Sequence, residues 1–201
     1  MKIGIYGGTF DPPHIGHINA LKSFVDSFDF DKVFVIPVFM PPHKSQHSQT
    51  SPTDRLNMSK IAFEPLSEKV VVSDMEIKRE GKSYTADTIR SFKEMGYDDI
   101  YFLCGTDMIL TLGSWYNPAY IFESATIVYA RRECNSATTA DIEEKIKEYK
   151  EKYGAKIFNL DIDVLEVSST EIREDLHRGT ASLLTNDVIK YINEQGLYCN
   201  E

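Results

Sequence analysis

Cysteine is scarce in this chain of 201 residues. Cys104, Cys134 and Cys199 show no pairing pattern, which suits a reducing compartment and argues against a disulfide framework. Long apolar runs are missing as well: none approaches the roughly eighteen residues of a membrane span. The chain opens directly on a strand-like run, without the cationic segment, apolar core and cleavage site of a signal peptide. A cytoplasmic protein with no membrane partner is expected. Basic residues are outnumbered, 22 Lys and Arg against 31 Asp and Glu, and the net charge of −9 argues against broad nucleic-acid binding. Internal repeats and low-complexity linkers are absent. The length suits one domain over residues 1–201 with an adequate core, and 42% apolar residues is ordinary for a globular protein.

Strand-like and helix-like segments alternate, which predicts an α/β fold: a Rossmann-like, doubly wound parallel sheet with helices on both faces. Strands are expected over Lys2 to Tyr6, Val33 to Val38, Val70 to Ser73, Ile100 to Cys104, Thr126 to Ala130 and Lys156 to Leu160. Several are continuous Val/Ile/Phe runs, as strands buried on both faces require. Helix ends are legible. Ser51-Pro52-Thr53-Asp54 offers an N-cap, a proline at the first helical position and an early acid. Thr85 is expected to cap a helix that runs to Met95 and stops at Gly96. Ile142, Ile146, Tyr149 and Tyr153 form one apolar stripe on an otherwise charged helix.

The most informative stretch is Gly7-Gly8-Thr9-Phe10-Asp11-Pro12-Pro13-His14-Ile15-Gly16-His17, just behind the apolar run Ile3 to Tyr6. It reads as a strand, a tight loop and the start of a helix carrying Ile18, Leu21, Val25 and Phe28. His14 and His17 share one face near that helix start, where unpaired N–H groups attract anions. The glycines let the backbone come close to a ligand. Together these features make a polyphosphate site. Zinc is the chemical rival for the histidine pair, but the scattered cysteines complete no tetrahedral set. Asp11 reads as the cap of its own turn.

Five blocks, in order along the chain, carry a resemblance. They are the Gly7–His17 stretch with its His14-Ile15-Gly16-His17 signature, Pro41-Pro42-His43-Lys44, Ser83-Tyr84-Thr85-Ala86-Asp87-Thr88, Gly105-Thr106-Asp107 with Trp115, and Val167-Ser168-Ser169-Thr170-Glu171-Ile172-Arg173. The chain resembles the nucleotidyltransferase superfamily and, within it, the bacterial nicotinate-nucleotide adenylyltransferase family. The resemblance implies transfer of AMP from ATP to nicotinate mononucleotide, giving nicotinate adenine dinucleotide and pyrophosphate. The nucleophile then arrives on the substrate, so positioning and electrostatics supply nearly all the catalysis. Mg²⁺ is expected on the ATP phosphates rather than in a protein cage. A homo-oligomer is left open.

The resemblance also implies residue roles. Gly7, Gly8, Thr9, Phe10, His14 and His17 would meet ATP, with Ser168, Ser169, Thr170 and Arg173 on its phosphates. Read alone, Ser168 to Arg173 is a helix start with Ser/Thr caps. Lys44 would contact the reacting phosphates; His14, His17, Lys44 and Arg173 would be the catalytic set. Ser83, Tyr84, Thr85, Asp107, Trp115 and Arg132 would hold the mononucleotide, with Trp115 stacked on its ring and N–H groups near Tyr84 and Thr85 facing its carboxylate. Trp115 as a core residue and Asp107 as a helix cap are the bland alternatives. Two departures stand out: Glu133-Cys134 follow Arg132 where the family has Pro-Gly, and Leu183 to Asp187 replace a segment that usually carries Tyr and Pro. Thr185 or Asn186 remains able to cap the last helix. Other members of the superfamily, such as phosphopantetheine adenylyltransferase, and a nucleotide-sensing module without catalysis are the rivals. The Ser83–Thr85 and Trp115 blocks speak against the first. The retained His14, His17, Lys44 and Arg173 speak against the second.

Overall fold

The computed structural model describes residues 1–42, 50–130, 136–160, 162, 168–177 and 183–199. Lys44 and Arg132, with His43, Glu133, Cys134 and Val167, lie outside the described residues. Six strands form one parallel sheet: β1 (Lys2–Gly8), β2 (Lys32–Pro37), β3 (Val70–Val72), β4 (Asp99–Gly105), β5 (Thr126–Ala130) and β6 (Ile157–Leu160). Their spatial order is β3-β2-β1-β4-β5-β6. The order reverses between β1 and β4, where Tyr6 lies opposite Leu103. In such sheets ligands bind at that reversal, beyond the strands' carboxyl ends.

The α-helices among the described residues are α1 (Ile15–Ser27), α2 (Pro52–Phe63), α3 (Met75–Arg79), α4 (Thr85–Glu94), α5 (Thr106–Thr111), α6 (Pro118–Ser124), α7 (Ser136–Tyr153), α8 (Ser169–His177) and α9 (Asn186–Gln195). Strand residues alternate between two cores. Val33, Val35, Leu103 and Val128 join one core with Phe24 of α1, Phe63 of α2, Ile172 of α8 and Ile192 of α9. Ile3, Ile36, Phe102 and Ile127 join the other with Ile89 of α4, Ile109 of α5, Ile121 of α6 and Ile142 of α7. This is why the strands read as unbroken apolar runs. All six expected strands form, with ends shifted by a residue or two.

Helix boundaries follow local chemistry. The Ser51 hydroxyl accepts the Asp54 N–H at 3.0 Å, with Pro52 opening α2. Thr185 caps α9 through the Val188 N–H at 3.4 Å. Thr85 differs from expectation: Tyr84, in an extended conformation, is the N-cap residue, and Thr85 is the first helical residue. Gly96 stops α4 at φ +88°. The Ile142–Tyr153 stripe faces the second core, with Ile142 and Tyr149 buried.

The turn after β1 is tied from several directions. Phe10, at φ +50°, folds its ring back into the first core against Tyr6, Phe63 and His17. A Cβ on Gly8 would sit 2.7 Å from that ring, so only glycine fits there. Asp11, 4% exposed, reaches beyond its own turn. Its Oδ1 accepts the Thr50 hydroxyl at 2.7 Å and the Tyr198 hydroxyl at 2.6 Å. Near the other end of the chain, Tyr198 is thereby latched onto the β1–α1 turn. Desolvation and the neighbouring carboxylate push its phenol well above the usual tyrosine range, so it remains a donor. Tyr198→Phe removes one of two hydroxyl donors from a buried carboxylate. It is expected to cost about 1–3 kcal/mol in a denaturant melt, with β-sheet content retained.

Candidate active site

A cleft of about 870 Å³ opens at the carboxyl ends of the central strands. Every described residue assigned a site role from the sequence lines it: Gly7, Gly8, Thr9, Phe10, His14, His17, Ser83, Tyr84, Thr85, Asp107, Trp115, Ser168, Ser169, Thr170 and Arg173. They come from four separated stretches, which the β1–β4 reversal brings together.

One side of the cleft is built by α1 and α8. His14 is the N-cap of α1 and His17 its third residue, both buried, with rings 3.7 Å apart between centroids. The His14 backbone N–H donates to His17 Nδ1 at 3.2 Å. With Nδ1 occupied as an acceptor, the neutral His17 ring carries its proton on Nε2. The turn Gly8-Thr9-Phe10 and the first residues of α1 line the same cleft, and the first N–H groups of a helix have no intrahelical acceptor.

At α8 the capping reading proves correct for Ser168. Its hydroxyl accepts the Glu171 N–H at 3.2 Å, while Glu171 Oε2 accepts the Ser168 N–H at 2.9 Å and the Ser168 hydroxyl at 2.8 Å. Ser169 donates to the Pro12 carbonyl at 3.2 Å. Arg173 spends Nη1 on the Asp11 carbonyl at 2.7 Å and Nη2 on the Thr170 hydroxyl at 3.2 Å. These bonds lock α8 to the β1–α1 turn and aim the guanidinium at the cleft edge.

The other side is built by α4, α5 and the Trp115 turn. Ser83 and Tyr84 lead into the α4 N-terminus, and Tyr84 packs on Tyr116 with centroids 4.8 Å apart. Ser83 is a structural tie as well: its hydroxyl accepts the Phe39 N–H at 3.0 Å, and its N–H donates to the Met40 carbonyl at 2.9 Å. Trp115 is half-buried, not core. It sets its edge against Phe102 at 6.4 Å, and its Nε1 donates to the Thr111 hydroxyl at 3.3 Å. Asp107 is exposed in the first turn of α5, whose N-cap position is Gly105.

Three contributors escaped the sequence reading. Arg55 on α2 is 0% exposed, yet bears a guanidinium. Nη1 donates to the carbonyls of Thr9 at 3.0 Å and Val38 at 2.6 Å, and Nη2 to that of Phe39 at 3.1 Å. It thus fastens the loop after β1 to the loop after β2. Burial lowers its pKa from the ordinary arginine value, against the pull of Asp11. The Asp11–Tyr198 latch and Glu76, a buried carboxyl in the cleft wall, are the other two. All three depend on contacts between distant segments, and no local pattern announces them. Among the described residues, no group of three or more His, Cys, Asp or Glu is placed to hold a metal ion. No helix there is long and apolar enough to cross a membrane.

Comparison with known proteins agrees with this fold. The cytidylyltransferase-like family model matches residues 5–175. A probable nicotinate-nucleotide adenylyltransferase from Clostridium tetani is 37% identical over 200 residues, spanning 98% of this chain and 98% of that protein. Another from Geobacter sulfurreducens is 35% identical over 218 residues, spanning both chains fully. Among solved structures, Plasmodium falciparum nicotinic acid mononucleotide adenylyltransferase complexed with NaAD superposes with a TM-score of 0.74 at 21% identity, covering 98% of this chain and 97% of that one. The same enzyme complexed with APC gives 0.72 at 22% identity, covering 98% and 96%. At those identities the structures establish the shared fold, while the full-length relatives establish the family. This chain belongs to the cytidylyltransferase-like family and, within it, to the nicotinate-nucleotide adenylyltransferases.

Proposed function

We propose that the cleft holds ATP along its α1–α8 side and nicotinate mononucleotide along its α4–α5 side. The AMP moiety then passes to the mononucleotide, giving nicotinate adenine dinucleotide and pyrophosphate. One observation carries the reading: the paired histidines at the α1 N-terminus open into the same cleft as the α4 N-terminus and Trp115. An anion site and an aromatic-walled anion site therefore face one space.

The 5′-phosphate of the mononucleotide is ionised at neutral pH and attacks the α-phosphorus of ATP in line. The new P–O bond forms as the bond to the bridging oxygen breaks, and pyrophosphate carries the electron pair away. No side-chain nucleophile or strong base is needed. His17 donates from Nε2 and His14 lies beside it, both toward the triphosphate. The N–H groups of Gly8, Thr9 and Phe10 stabilise charge near the α-phosphorus, with Gly7 allowing close approach. Ser169, Thr170 and the remaining donors of Arg173 meet the outer phosphates, and Ser168 acts chiefly by capping α8. Lys44, two residues beyond the cleft-lining Pro42, and Arg132 would add cations to the reacting phosphates and the mononucleotide. Asp107 accepts from a ribose hydroxyl, and Trp115 stacks on the pyridine ring.

The donor set suits Mg²⁺ carried by ATP: histidines and N–H groups meet phosphate oxygens, and the described residues offer no carboxylate cage. When bound, Mg²⁺ would neutralise charge between the phosphates. The acidic balance of −9 supports small-molecule rather than nucleic-acid partners, and the three unpaired-pattern cysteines support a cytoplasmic setting.

His17→Ala should lower turnover about 10²-fold or more in a pyrophosphate-release assay, because a preorganised donor is lost. Near-wild-type turnover would exclude the catalytic role. Trp115 fluorescence should fall on adding nicotinate mononucleotide and change little with ATP alone, and a signal unaltered at saturating mononucleotide would remove the stacking assignment. Thr85→Pro gives a sharper test. Thr85 is the first residue of α4, a position that tolerates proline, and Tyr84 before it is already extended at φ −94°, ψ 126°. The helix should survive while one N–H disappears. The preference for nicotinate over nicotinamide mononucleotide should then drop by roughly tenfold to a hundredfold. An unchanged ratio would mean that this N–H does not face the carboxylate.

A further inference from the structure

Trp115, which stacks on the pyridine ring in the reading above, ends a segment too short to hold itself. Helix α5 has six residues, a single 3₁₀ turn over Leu112–Ser114 follows, and Trp115 comes next in an extended conformation. A helix of that length gains little from its own hydrogen bonds. The bonds inside the segment are local. The Trp115 N–H donates to the Leu112 carbonyl at 3.2 Å, and the Ser114 hydroxyl donates to the Thr111 carbonyl at 2.7 Å. Such bonds fix the shape of the turn, but its place over the sheet depends on contacts with other parts of the chain.

Two hydrogen bonds make such contacts, one at each end. Thr106 donates its hydroxyl to the Ala130 carbonyl at 3.3 Å, and the Gly113 N–H donates to the Tyr149 hydroxyl at 3.0 Å. Tyr149 lies on α7 at 1% exposure, its ring against Phe122 of α6 with centroids 4.7 Å apart. Packing therefore sets the ring, and the hydroxyl at its tip falls on the backbone of the turn. The approach is close. A Cβ on Gly113 would stand 2.7 Å from a ring carbon and 3.2 Å from the hydroxyl oxygen. Thr111, Ser114, Trp115 and Tyr116 line the cleft, whereas Gly113 and Tyr149 lie behind them. Core filling accounts for an aromatic ring at position 149, which phenylalanine would supply equally well. It does not account for a hydroxyl placed on a backbone N–H two residues before the single tryptophan.

We propose that Tyr149 is a positioning residue for the acceptor site: its hydroxyl, by holding the Gly113 N–H, sets the height and tilt of Trp115 against the mononucleotide ring. The inference rests on the stacking assignment above. Aromatic stacking depends on the spacing and offset of the two rings, so a turn released from α7 stacks less well. The loss falls on the mononucleotide. Residues proposed to meet ATP hang from helices on the other core and keep their geometry.

Tyr149→Phe keeps the ring and removes only the acceptor, and two readouts follow. Because Trp115 is the single tryptophan, its time-resolved fluorescence anisotropy reports the motion of this turn in the free protein. The variant should depolarise faster than the wild type. In the pyrophosphate-release assay its KM for nicotinate mononucleotide should rise about threefold to tenfold, with the KM for ATP unchanged. Gly113→Ala presses on the same contact from the other side and should give the same split between substrates. It decides the matter if Tyr149→Phe does not fold, as judged by thermal melts. Tyr153→Phe removes a hydroxyl from the same stripe, where the ring stacks on Phe122 at 5.0 Å. That control should match the wild type in both readouts. Wild-type anisotropy and KM values in folded Tyr149→Phe would overturn the positioning role, as would equal losses for both substrates. A wild type whose Trp115 emission ignores saturating mononucleotide would instead overturn the stacking assignment, and the proposal with it.

Discussion

Arg55 lies wholly inside the protein, and two nitrogens of its guanidinium hold three carbonyls of the loops that follow β1 and β2. Removing one partner from such a cluster leaves a buried charge and several acceptors unsatisfied, which is among the most destabilising single losses a fold can suffer. The geometry of the cleft follows from it. With Thr9 fixed, Phe10 packs its ring into the core against Tyr6, Phe63 and His17. With Val38 and Phe39 fixed, the chain enters the segment carrying Lys44 from a defined point, which Ser83 secures from the other side. Asp11, Thr50 and Tyr198 close the ring around the same turn.

The charge balance of the molecule makes this arrangement necessary. An enzyme of net charge −9 must accept two anionic substrates in one cleft. Surface lysines scattered over such a protein would be screened and diluted. A guanidinium buried against the turn after β1 acts through low-dielectric material and cannot be deprotonated under physiological conditions. Helix N-termini add partial positive charge without adding a residue. An acidic protein can in this way offer an anion a favourable site, with the positive charge held inside or built into the backbone.

Local signals carried most of the fold and much of the site. Continuous apolar strands, the Ser51-Pro52 helix start and the Thr185 cap are properties of neighbouring residues, and all three appear in the structure. The Gly7–His17 stretch was equally legible, because a turn that must expose its backbone has few permitted spellings. Arg55 was not legible: on α2 it sits among residues that would suit an exposed helix equally well, and only its contacts with two distant loops explain its burial. Glu76 likewise resembles any acid of a short charged helix until Thr88 is seen against it. Asp11 does more than its own turn announces. Thr50 and Tyr198, which reach its Oδ1, come from far along the chain. The one-residue shift from Thr85 to Tyr84 at the α4 cap is of a different kind, since residues near a helix start compete for the same role within a few tenths of a kilocalorie.

The two cores separated by the sheet have a consequence for how such an enzyme can vary. The residues proposed to meet the triphosphate hang from helices packed on one core, and those proposed to meet the acceptor hang from helices packed on the other. Substitutions that repack α4, α5 or the Trp115 turn are insulated by the sheet from the histidine pair and the Arg173 tether. Acceptor recognition can therefore drift, or be redesigned, along one lineage of changes while the phosphoryl-transfer machinery stays as it is. The fold then offers two largely separate halves, joined at the cleft and through Phe39, which Arg55 holds from one side and Ser83 from the other.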